Sequence, residues 1–299
     1  MLPQTRLSDN LGGSIAGGGR VGQWQPTRDV RLLPARKSAS FVRLLIGVVV
    51  VYVAVSTDCL PDLQMPEVVD ACADLEFTTV EIALRENGSV LSPSRIDAEF
   101  DKAVHLARRS HRLEVCSYDV HIDAKGDEYF QQFEAVCRLG KATKVVTLTV
   151  PSGELGVPFN EEVERLQRLV DVAEGEGVRV SMKTQIGRLS EDPDTVKVLC
   201  DNVKGLGITL DPSHFHCGPS SNKNLDKIME YVFHVHLRDS KKNQLQVRVG
   251  QGEIEYGKIV SQLSRVGYSH ALSIQMAPMP EFDQRSELRK LRLLLETLL

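Results

Sequence analysis

The sequence lacks the signatures of several common protein classes. Its six cysteines form neither a CxxC pair nor a Cys/His zinc spacing, which argues against a zinc finger or a dithiol redox site. The net charge of −4 argues against nucleic-acid binding, which favours an excess of basic residues. The GxGxxG motif that a dinucleotide-binding fold would have after its first strand is missing after the first predicted strand. The cysteines fall instead in strand-like and helix-like segments, where we expect small buried side chains and a reducing, cytoplasmic setting.

A membrane-spanning run is also missing. The apolar stretch at residues 44–55 has twelve residues, whereas a spanning helix needs about 20. We interpret residues 50–56 as the first core strand, because the residues that follow form a turn leading into a helical pattern. A cleaved leader is the alternative, since Ala54 and Ser56 have the small-x-small pattern of a cleavage site. We therefore expect no membrane partner.

The first 48 residues differ in composition from the rest. They hold seven basic residues against two acids, and they include three consecutive glycines at 17–19. No apolar period occurs before Phe41, so residues 1–48 are predicted to be a disordered extension. An upstream segment included by a wrong start site is the alternative.

From residue 50 to 299 strand and helix patterns alternate. The apolar strand cores fall near Val53, Val80, Val115, Val146, Val180, Leu210, Val235 and Ile274. Helical spacing links Val163, Leu166, Leu169, Val170 and Ala173, and again Leu288, Leu291, Leu294, Leu295 and Leu298. Asp192 before Pro193 resembles a helix N-cap. Eight such repeats over about 250 residues predict a single (β/α)8 TIM barrel, with an open doubly wound α/β sheet as the alternative.

Polar residues alternate with apolar ones in six of these strands, which favours the barrel. The polar set comprises Thr79 and Glu81; Thr147 and Thr149; Ser181, Lys183 and Gln185; Thr209 and Asp211; His234 and His236; Ser273 and Gln275. In a barrel these side chains would line the interior while the apolar ones face the helices. Several lie near the C-terminal strand ends, where such barrels place their active sites.

The stretch LGITLDPSHFH, at residues 206–216, carries the densest functional signal. An apolar strand would end at Asp211, and a turn starting at Pro212 would bring His214 and His216 to the same end of the strand. A carboxylate and imidazoles meeting there suit metal binding or proton transfer. The alternative is an ordinary surface turn after a buried strand.

Four motifs in order resemble one known family. They are TVEIAL (79–84), LGITLDPSHF (206–215), HVHLRD (234–239) and GQGEIEY (250–256). They are similar to the sugar phosphate isomerase/epimerase group with a xylose isomerase-like TIM barrel. The resemblance implies a small carbohydrate substrate and a divalent metal, often manganese or magnesium, held by a carboxylate, an Asp, a His and a second carboxylate.

Carried over residue by residue, the resemblance places metal ligands at Asp211 and His236 and a substrate-contacting histidine at His214. The two other ligand positions fall on Lys183 and Gln275, where the family has glutamates that also transfer protons. We hypothesise that the Lys183 ammonium replaces the ion and pairs with Asp211. The cofactor is then expected to be either a divalent ion, Mn²⁺ or Mg²⁺, held with weakened affinity by Asp211 and His236, or none.

These positions give a set of candidate site residues. We predict catalytic roles for Lys183, His214, Glu81 and Gln275, and substrate binding by His216, Arg238 and Lys242. Glu81 could take a substrate hydroxyl or pair with Lys183, with a purely structural acid as the alternative, and His234 is interpreted as a core histidine rather than a ligand.

Three functions compete for this set. The first is a sugar or sugar phosphate isomerase or epimerase. The second is a metal-independent enzyme that uses Lys183 for lyase or proton-transfer chemistry. The third is a non-catalytic sugar-binding relative. The partner expected in each case is a small carbohydrate and not a nucleic acid, and a homo-oligomer is compatible with the sequence.

Overall fold

The computed structural model describes residues 51–88, 91–108 and 113–299. Its centre is a closed barrel of eight parallel strands, in which each strand pairs with the next and the last pairs with the first. The strands are β1 (Tyr52–Ser56), β2 (Thr79–Leu84), β3 (Glu114–Val120), β4 (Thr147–Pro151), β5 (Arg179–Lys183), β6 (Gly207–Leu210), β7 (Val232–Leu237) and β8 (Ala271–Ile274). The predicted (β/α)8 barrel is confirmed, and the predicted extension at residues 1–48 lies outside the described residues.

Helices connect successive strands, as a parallel barrel requires. They are α1 (Met65–Asp74), α2 (Pro93–Ile96), α3 (Phe100–Arg108), α4 (Gly126–Thr143), α5 (Phe159–Glu176), α6 (Pro193–Asn202), α7 (Pro212–Cys217), α8 (Tyr256–Arg265) and α9 (Gln284–Glu296). Short 3₁₀ segments lie at Thr57–Cys59, Leu189–Glu191 and Asp226–Tyr231. The apolar core lies between the strands and these helices.

The helix signals in the sequence correspond to real packing. Leu166, Leu169 and Ala173 of α5 are fully buried, because their spacing puts them on the face that packs against the sheet. Asp192 caps α6 by accepting a hydrogen bond from the backbone of Asp194 at 2.7 Å, as predicted. In the last helix, Leu288, Leu291 and Leu295 are buried, whereas Leu298 follows the end of the helix.

The barrel interior is lined by polar side chains, also as predicted. Thr209 Oγ1 donates to Ser181 Oγ at 2.7 Å and lies 2.7 Å from Thr149 Oγ1. These three residues are buried, and they satisfy one another across β4, β5 and β6. A hydroxyl network therefore fills a layer that a purely structural barrel would fill with aliphatic residues.

Two local predictions need correction. The segment after β6, predicted as a turn, is the short helix α7, because Asp211 Oδ1 accepts a hydrogen bond from Ser213 N at 3.0 Å and Pro212 occupies the first helical turn. The first strand begins at Tyr52, and residues 44–50 of the apolar run lie outside the described part of the chain.

Most of the cysteines are the small buried side chains that the sequence predicted. All six cysteines are free; Cys59, Cys72, Cys137 and Cys200 are buried, and Cys116 and Cys217 are partly exposed. Within the described ranges, every helix is too short or too polar to cross a bilayer.

One close approach fixes the packing of β6 against β7. A Cβ atom at Gly207 would lie 2.1 Å from the ring of Phe233, and the Arg179 guanidinium stacks 4.4 Å from the centroid of that ring. A Cβ atom would therefore have to displace the ring from its contact with Arg179, which favours glycine at this position.

We expect Gly207→Ala to lower the free energy of unfolding by about 2 kcal/mol through overpacking. The matched control is Gly175→Ala, since a Cβ at Gly175 on α5 meets nothing within 4 Å. The control should raise stability by about 0.5–1 kcal/mol, because alanine favours the helix. Urea unfolding of both variants tests the prediction, and equal effects would contradict it.

Candidate active site at the barrel mouth

Parallel strands bring their C-terminal ends to one face of the barrel, which we call the mouth. Six polar side chains that end or follow successive strands meet there: Arg85, Asp119, Lys183, Asp211, Arg238 and Gln275. Apart from Arg85 and Lys183, which are partly exposed, they are buried. The mouth is therefore a packed polar layer.

Asp119, at the end of β3, is the acceptor at the centre of this layer. Its Oδ2 accepts hydrogen bonds from Arg85 Nη2 at 2.8 Å, Lys183 Nζ at 3.1 Å and Gln275 Nε2 at 2.8 Å. Burial raises the pKa of Asp119, but the positive charges of Arg85 and Lys183 outweigh burial and hold the pKa well below its ordinary value. Asp119 is thus an anion that holds two cations in place.

Asp211 carries the second ion pair. Its Oδ2 accepts from Arg238 Nη2 at 2.8 Å, and the same Nη2 donates to Gln275 Oε1 at 2.8 Å. Burial raises the pKa of Asp211, and Arg238 followed by His214 lowers it below its ordinary value. The Gln275 amide therefore links the two carboxylates, by donating to Asp119 and accepting from Arg238.

The charges of the mouth balance without an added ion. Arg85, Lys183 and Arg238 face Asp119, Asp211 and Asp58, the last of which pairs with Arg85 at 2.5 Å. Three positive and three negative groups leave no net negative charge to attract a cation.

His214 is buried at the edge of this layer and is neutral. Its Nδ1 accepts a hydrogen bond from Ile186 N at 3.2 Å, so the ring proton is assigned to Nε2, which lies 3.7 Å from Asp211 Oδ2. Burial lowers the pKa of His214 to about 4. The imidazole therefore offers an N–H donor at pH 7 rather than a charge.

Below the mouth lies a second layer formed by Glu81, His234 and His236. Glu81 Oε2 lies 2.5 Å from His234 Nε2, and Glu81 Oε1 lies 2.9 Å from His236 Nε2. Burial raises the pKa of Glu81, while His236 and then His234 lower it well below its ordinary value. Burial lowers the pKa of His236. In the described part of the chain, these three residues form a group that could hold a metal ion, with ligand atoms within 4.8 Å of one another.

Two sequence-based expectations about contacts, those for Lys183 and Glu81, are corrected by this geometry. Lys183 contacts Asp119, and the cation on Asp211 is Arg238, which reaches it from the end of β7. Glu81 pairs with the two histidines rather than with Lys183. His234, interpreted as a core histidine, is buried as expected, but its Nε2 faces the Glu81 carboxylate as a metal ligand could.

His216 and Lys242 lie apart from the central network. His216 Nε2 is 3.0 Å from Glu253 Oε2, and the backbone N–H of Lys242 donates to the same oxygen at 3.2 Å. His216 lies near the end of α7, and Lys242 lies in the segment after β7. Their predicted substrate-binding roles stay predictions.

The mouth does not fit the divalent ion that the resemblance implies. Of the four ligand positions, Lys183 and Gln275 carry no carboxylate, and the Arg238 guanidinium bridges Asp211 and Gln275. The fourth, His236, presents its Nε2 to Glu81. A cation placed among these groups would meet the positive charges of Arg238 and Lys183 at close range.

Sequence reasoning missed Asp119, Arg85 and Asp58. In β3 the polar Ser117 and Asp119 alternate with Tyr118 and Val120. This is the same polar/apolar pattern that was used for the six other strands. Arg85 directly follows the TVEIAL motif. The alternation at Asp119 could be seen in the sequence, but none of the three residues is at a ligand position of the family.

Comparison with known proteins agrees with this architecture. The family model described as a xylose isomerase-like TIM barrel matches residues 69–294. No curated protein matches the chain. A D-tagatose 3-epimerase-like protein shares 17% identity and a TM-score of 0.64, covering 83% of this chain and 97% of its own.

Two further solved structures have the same fold. D-allulose 3-epimerase from Methylomonas sp. shares 14% identity and a TM-score of 0.62, over 83% of this chain and 98% of its own. The probable 3-DHS dehydratase involved in petrobactin synthesis from Bacillus anthracis shares 13% identity and a TM-score of 0.64, over 82% of this chain and 98% of its own. At these identities the likeness shows the fold alone.

Replacing Asp119 should destabilise the mouth strongly. Asp119→Ala leaves Lys183 and Arg85 without their shared buried carboxylate, which should cost about 3 kcal/mol of unfolding free energy. The control, Asp97→Ala, removes an exposed carboxylate that pairs with Arg138 and should cost less than about 1 kcal/mol. Chemical denaturation of both variants measures the difference, and a loss for Asp119→Ala no larger than the control's would contradict the account.

The pH dependence of stability should contain a contribution from His214. Because burial lowers its folded-state pKa to about 4 from an ordinary 6.5, protonation favours the unfolded chain. Stability is therefore full above pH 6.5 and declines by about 3 kcal/mol as the pH falls to 4. The groups acting on this ring are Asp211, Arg238, Lys183 and His236.

The variant His214→Gln keeps an acceptor for Ile186 N–H and removes the titrating ring. Its stability should fall less steeply between pH 6.5 and 4 than that of the parent, whereas replacement of the exposed His121 by Gln should leave the parent's slope. Thermal unfolding across this range tests the prediction, and parallel curves for parent and His214→Gln would refute it.

Proposed function

The chain belongs to the xylose isomerase-like TIM barrel family, and we propose that it is an isomerase or epimerase of small sugar-like hydroxycarbonyl compounds whose mouth works without a divalent ion. The observation that carries this proposal is the position of Arg238 Nη2, within 2.8 Å of both Asp211 and Gln275. The guanidinium takes the electrostatic place that the family gives to its metal.

Isomerisation next to a carbonyl requires stabilisation of an enediolate. Loss of a proton from the carbon beside the carbonyl leaves negative charge on the substrate oxygens, and preorganised N–H donors lower the energy of that charge. Arg238 is a cation held by Asp211, so its orientation is fixed before the substrate binds. Return of the proton to the neighbouring carbon, together with transfer of the hydroxyl proton between the two substrate oxygens, gives isomerisation, and return to the opposite face of the same carbon gives epimerisation.

The remaining polar groups have distinct roles in this proposal. Lys183 is assigned to proton transfer, because its side chain is 13% exposed and reaches the mouth from β5. Its ammonium first gives a proton to solvent, and the neutral amine then takes the proton from the substrate carbon and later returns it. The neutral His214 donates Nε2–H to a substrate hydroxyl. Gln275 positions Arg238 by accepting from it. Glu81 acts through His236, which it contacts below the mouth, and is a positioning residue rather than a proton carrier.

The setting of the protein is part of the same proposal. Six free cysteines suit a reducing compartment, which supports a cytoplasmic enzyme of carbohydrate metabolism. Two alternatives differ in chemistry: a lyase in which Lys183 forms a Schiff base, and a non-catalytic sugar-binding protein.

The test is solvent deuterium exchange into a panel of aldoses, ketoses and their phosphates, using chelator-treated protein and proton NMR. We expect exchange at the carbon beside the carbonyl, and at least a 100-fold lower rate for Arg238→Met, because an oxyanion donor is worth about 10²–10³ in rate. Arg168→Met, which changes an exposed arginine paired with Asp127, should keep the parent rate.

Each alternative has its own result. Exchange that returns only with added manganese and disappears in Asp211→Asn would overturn the proposal in favour of a metal enzyme. A covalent adduct on Lys183 after borohydride treatment would indicate Schiff-base chemistry. Saturable ligand binding without exchange would indicate a non-catalytic relative.

A further inference from the structure

Glu81, His234 and His236 form a compact group below the mouth. His234 and His236 are two residues apart on β7 and therefore face the same side, and Glu81 reaches them from β2. All three are buried to 2% exposure or less. Imidazole nitrogens and a carboxylate are the ligands that zinc-type cations prefer.

The two histidines present the same nitrogen to the same carboxylate. His234 Nε2 lies 2.5 Å from Glu81 Oε2, and His236 Nε2 lies 2.9 Å from Oε1 and 3.0 Å from Oε2. The imidazole rings stand nearly perpendicular, at 87° with centroids 5.2 Å apart. Two converging nitrogens and one carboxylate supply three of the four corners of a tetrahedral site.

The hydrogen bonds of this group are unevenly shared between the two oxygens of Glu81. Oε2 receives Ser117 Oγ at 2.6 Å in addition to both histidines. Among the described residues, Glu81 Oε1 has a 2.9 Å contact with His236 Nε2 but no hydrogen bond of good angular geometry. The hydroxyl of Ser273, which is in register with His236 on β8, is also buried without a partner there.

We propose that Glu81, His234 and His236 bind a zinc-type divalent cation, with the Ser273 hydroxyl or a water beside it as the fourth partner. The ion would take the Nε2 lone pairs of the two histidines, whose ring protons would then lie on Nδ1, and one oxygen of Glu81. Ser117 Oγ would remain on the carboxylate and orient it. Nitrogen-rich ligand sets favour Zn²⁺ and Co²⁺ over Mn²⁺ and Mg²⁺.

This site is not the one that the family resemblance implies. Glu81 and His234 are at none of the four family ligand positions, and only His236 is shared. The mouth above has balanced charges, whereas this layer has one carboxylate and two imidazoles, so the carboxylate offsets one of the two charges of a divalent ion and no cationic side chain belongs to the ligand set. The inference does not depend on the proposed reaction.

Burial determines how the site must be loaded. Because all three ligands are enclosed by the barrel, an ion can enter slowly or only during folding. The experiment therefore refolds the full chain from urea with one equivalent of Co²⁺, and in parallel titrates the native chain. After desalting, bound metal is measured by elemental analysis and by the visible absorption of four-coordinate Co²⁺.

The expected result is one Co²⁺ per chain in the refolded parent, and at least a 100-fold weaker affinity in His234→Gln and in Glu81→Gln. Asp211→Asn, at the mouth, and His121→Gln, at an exposed position, should keep the parent's affinity. Absence of bound Co²⁺ in both preparations would overturn the proposal, as would binding that Asp211→Asn abolishes and His234→Gln preserves.

A second measurement covers the case in which the buried variants fail to fold. Anomalous diffraction at the zinc edge from parent crystals grown with Zn²⁺ should give a peak within about 2.3 Å of His234 Nε2. A peak only at the mouth or the rim would contradict the proposed site.

Discussion

The ion pair between Arg238 and Asp211 is the interaction on which the arrangement of the mouth depends. Arg238 Nη2 also donates to Gln275, and Gln275 donates to Asp119, which holds Lys183 and Arg85. One guanidinium therefore orders groups that end or follow β2, β3, β5, β6 and β8. Removing the Arg238 guanidinium would leave the buried Asp211 carboxylate without its cation, which should lower the free energy of unfolding.

The polar interior changes character with depth. At the mouth, alternating cations and carboxylates suit the binding of oxygen-rich substrates and the stabilisation of negative charge. Below the mouth, Glu81 meets two imidazoles, and elsewhere in the interior the hydroxyls of Thr149, Ser181 and Thr209 bond to one another. This order supports our proposal that the reaction takes place at the mouth and that the layer beneath binds a metal ion.

The sequence predicts the fold well, because all eight strand cores are apolar and six of them alternate with polar residues, and because Asp211, Lys183 and Gln275 share the inward phase of their strands. It predicts the partners of these residues poorly. Whether Lys183 reaches Asp119 or Asp211 depends on side-chain reach across the barrel, which no local pattern contains. Arg238 was expected to bind substrate, but its ion pair with Asp211 follows from where β7 lies beside β6 in the closed barrel. Asp119 could have been found by applying the alternation rule to β3.

The central claim is that the cations of the mouth replace a divalent ion, and manganese titration of the full chain by calorimetry tests it most directly. The account predicts that the parent shows no saturable Mn²⁺ binding that depends on Asp211, so that parent and Asp211→Asn give the same heats. A tight site of one Mn²⁺ per chain that is lost in Asp211→Asn would contradict it and restore a metal-dependent mouth.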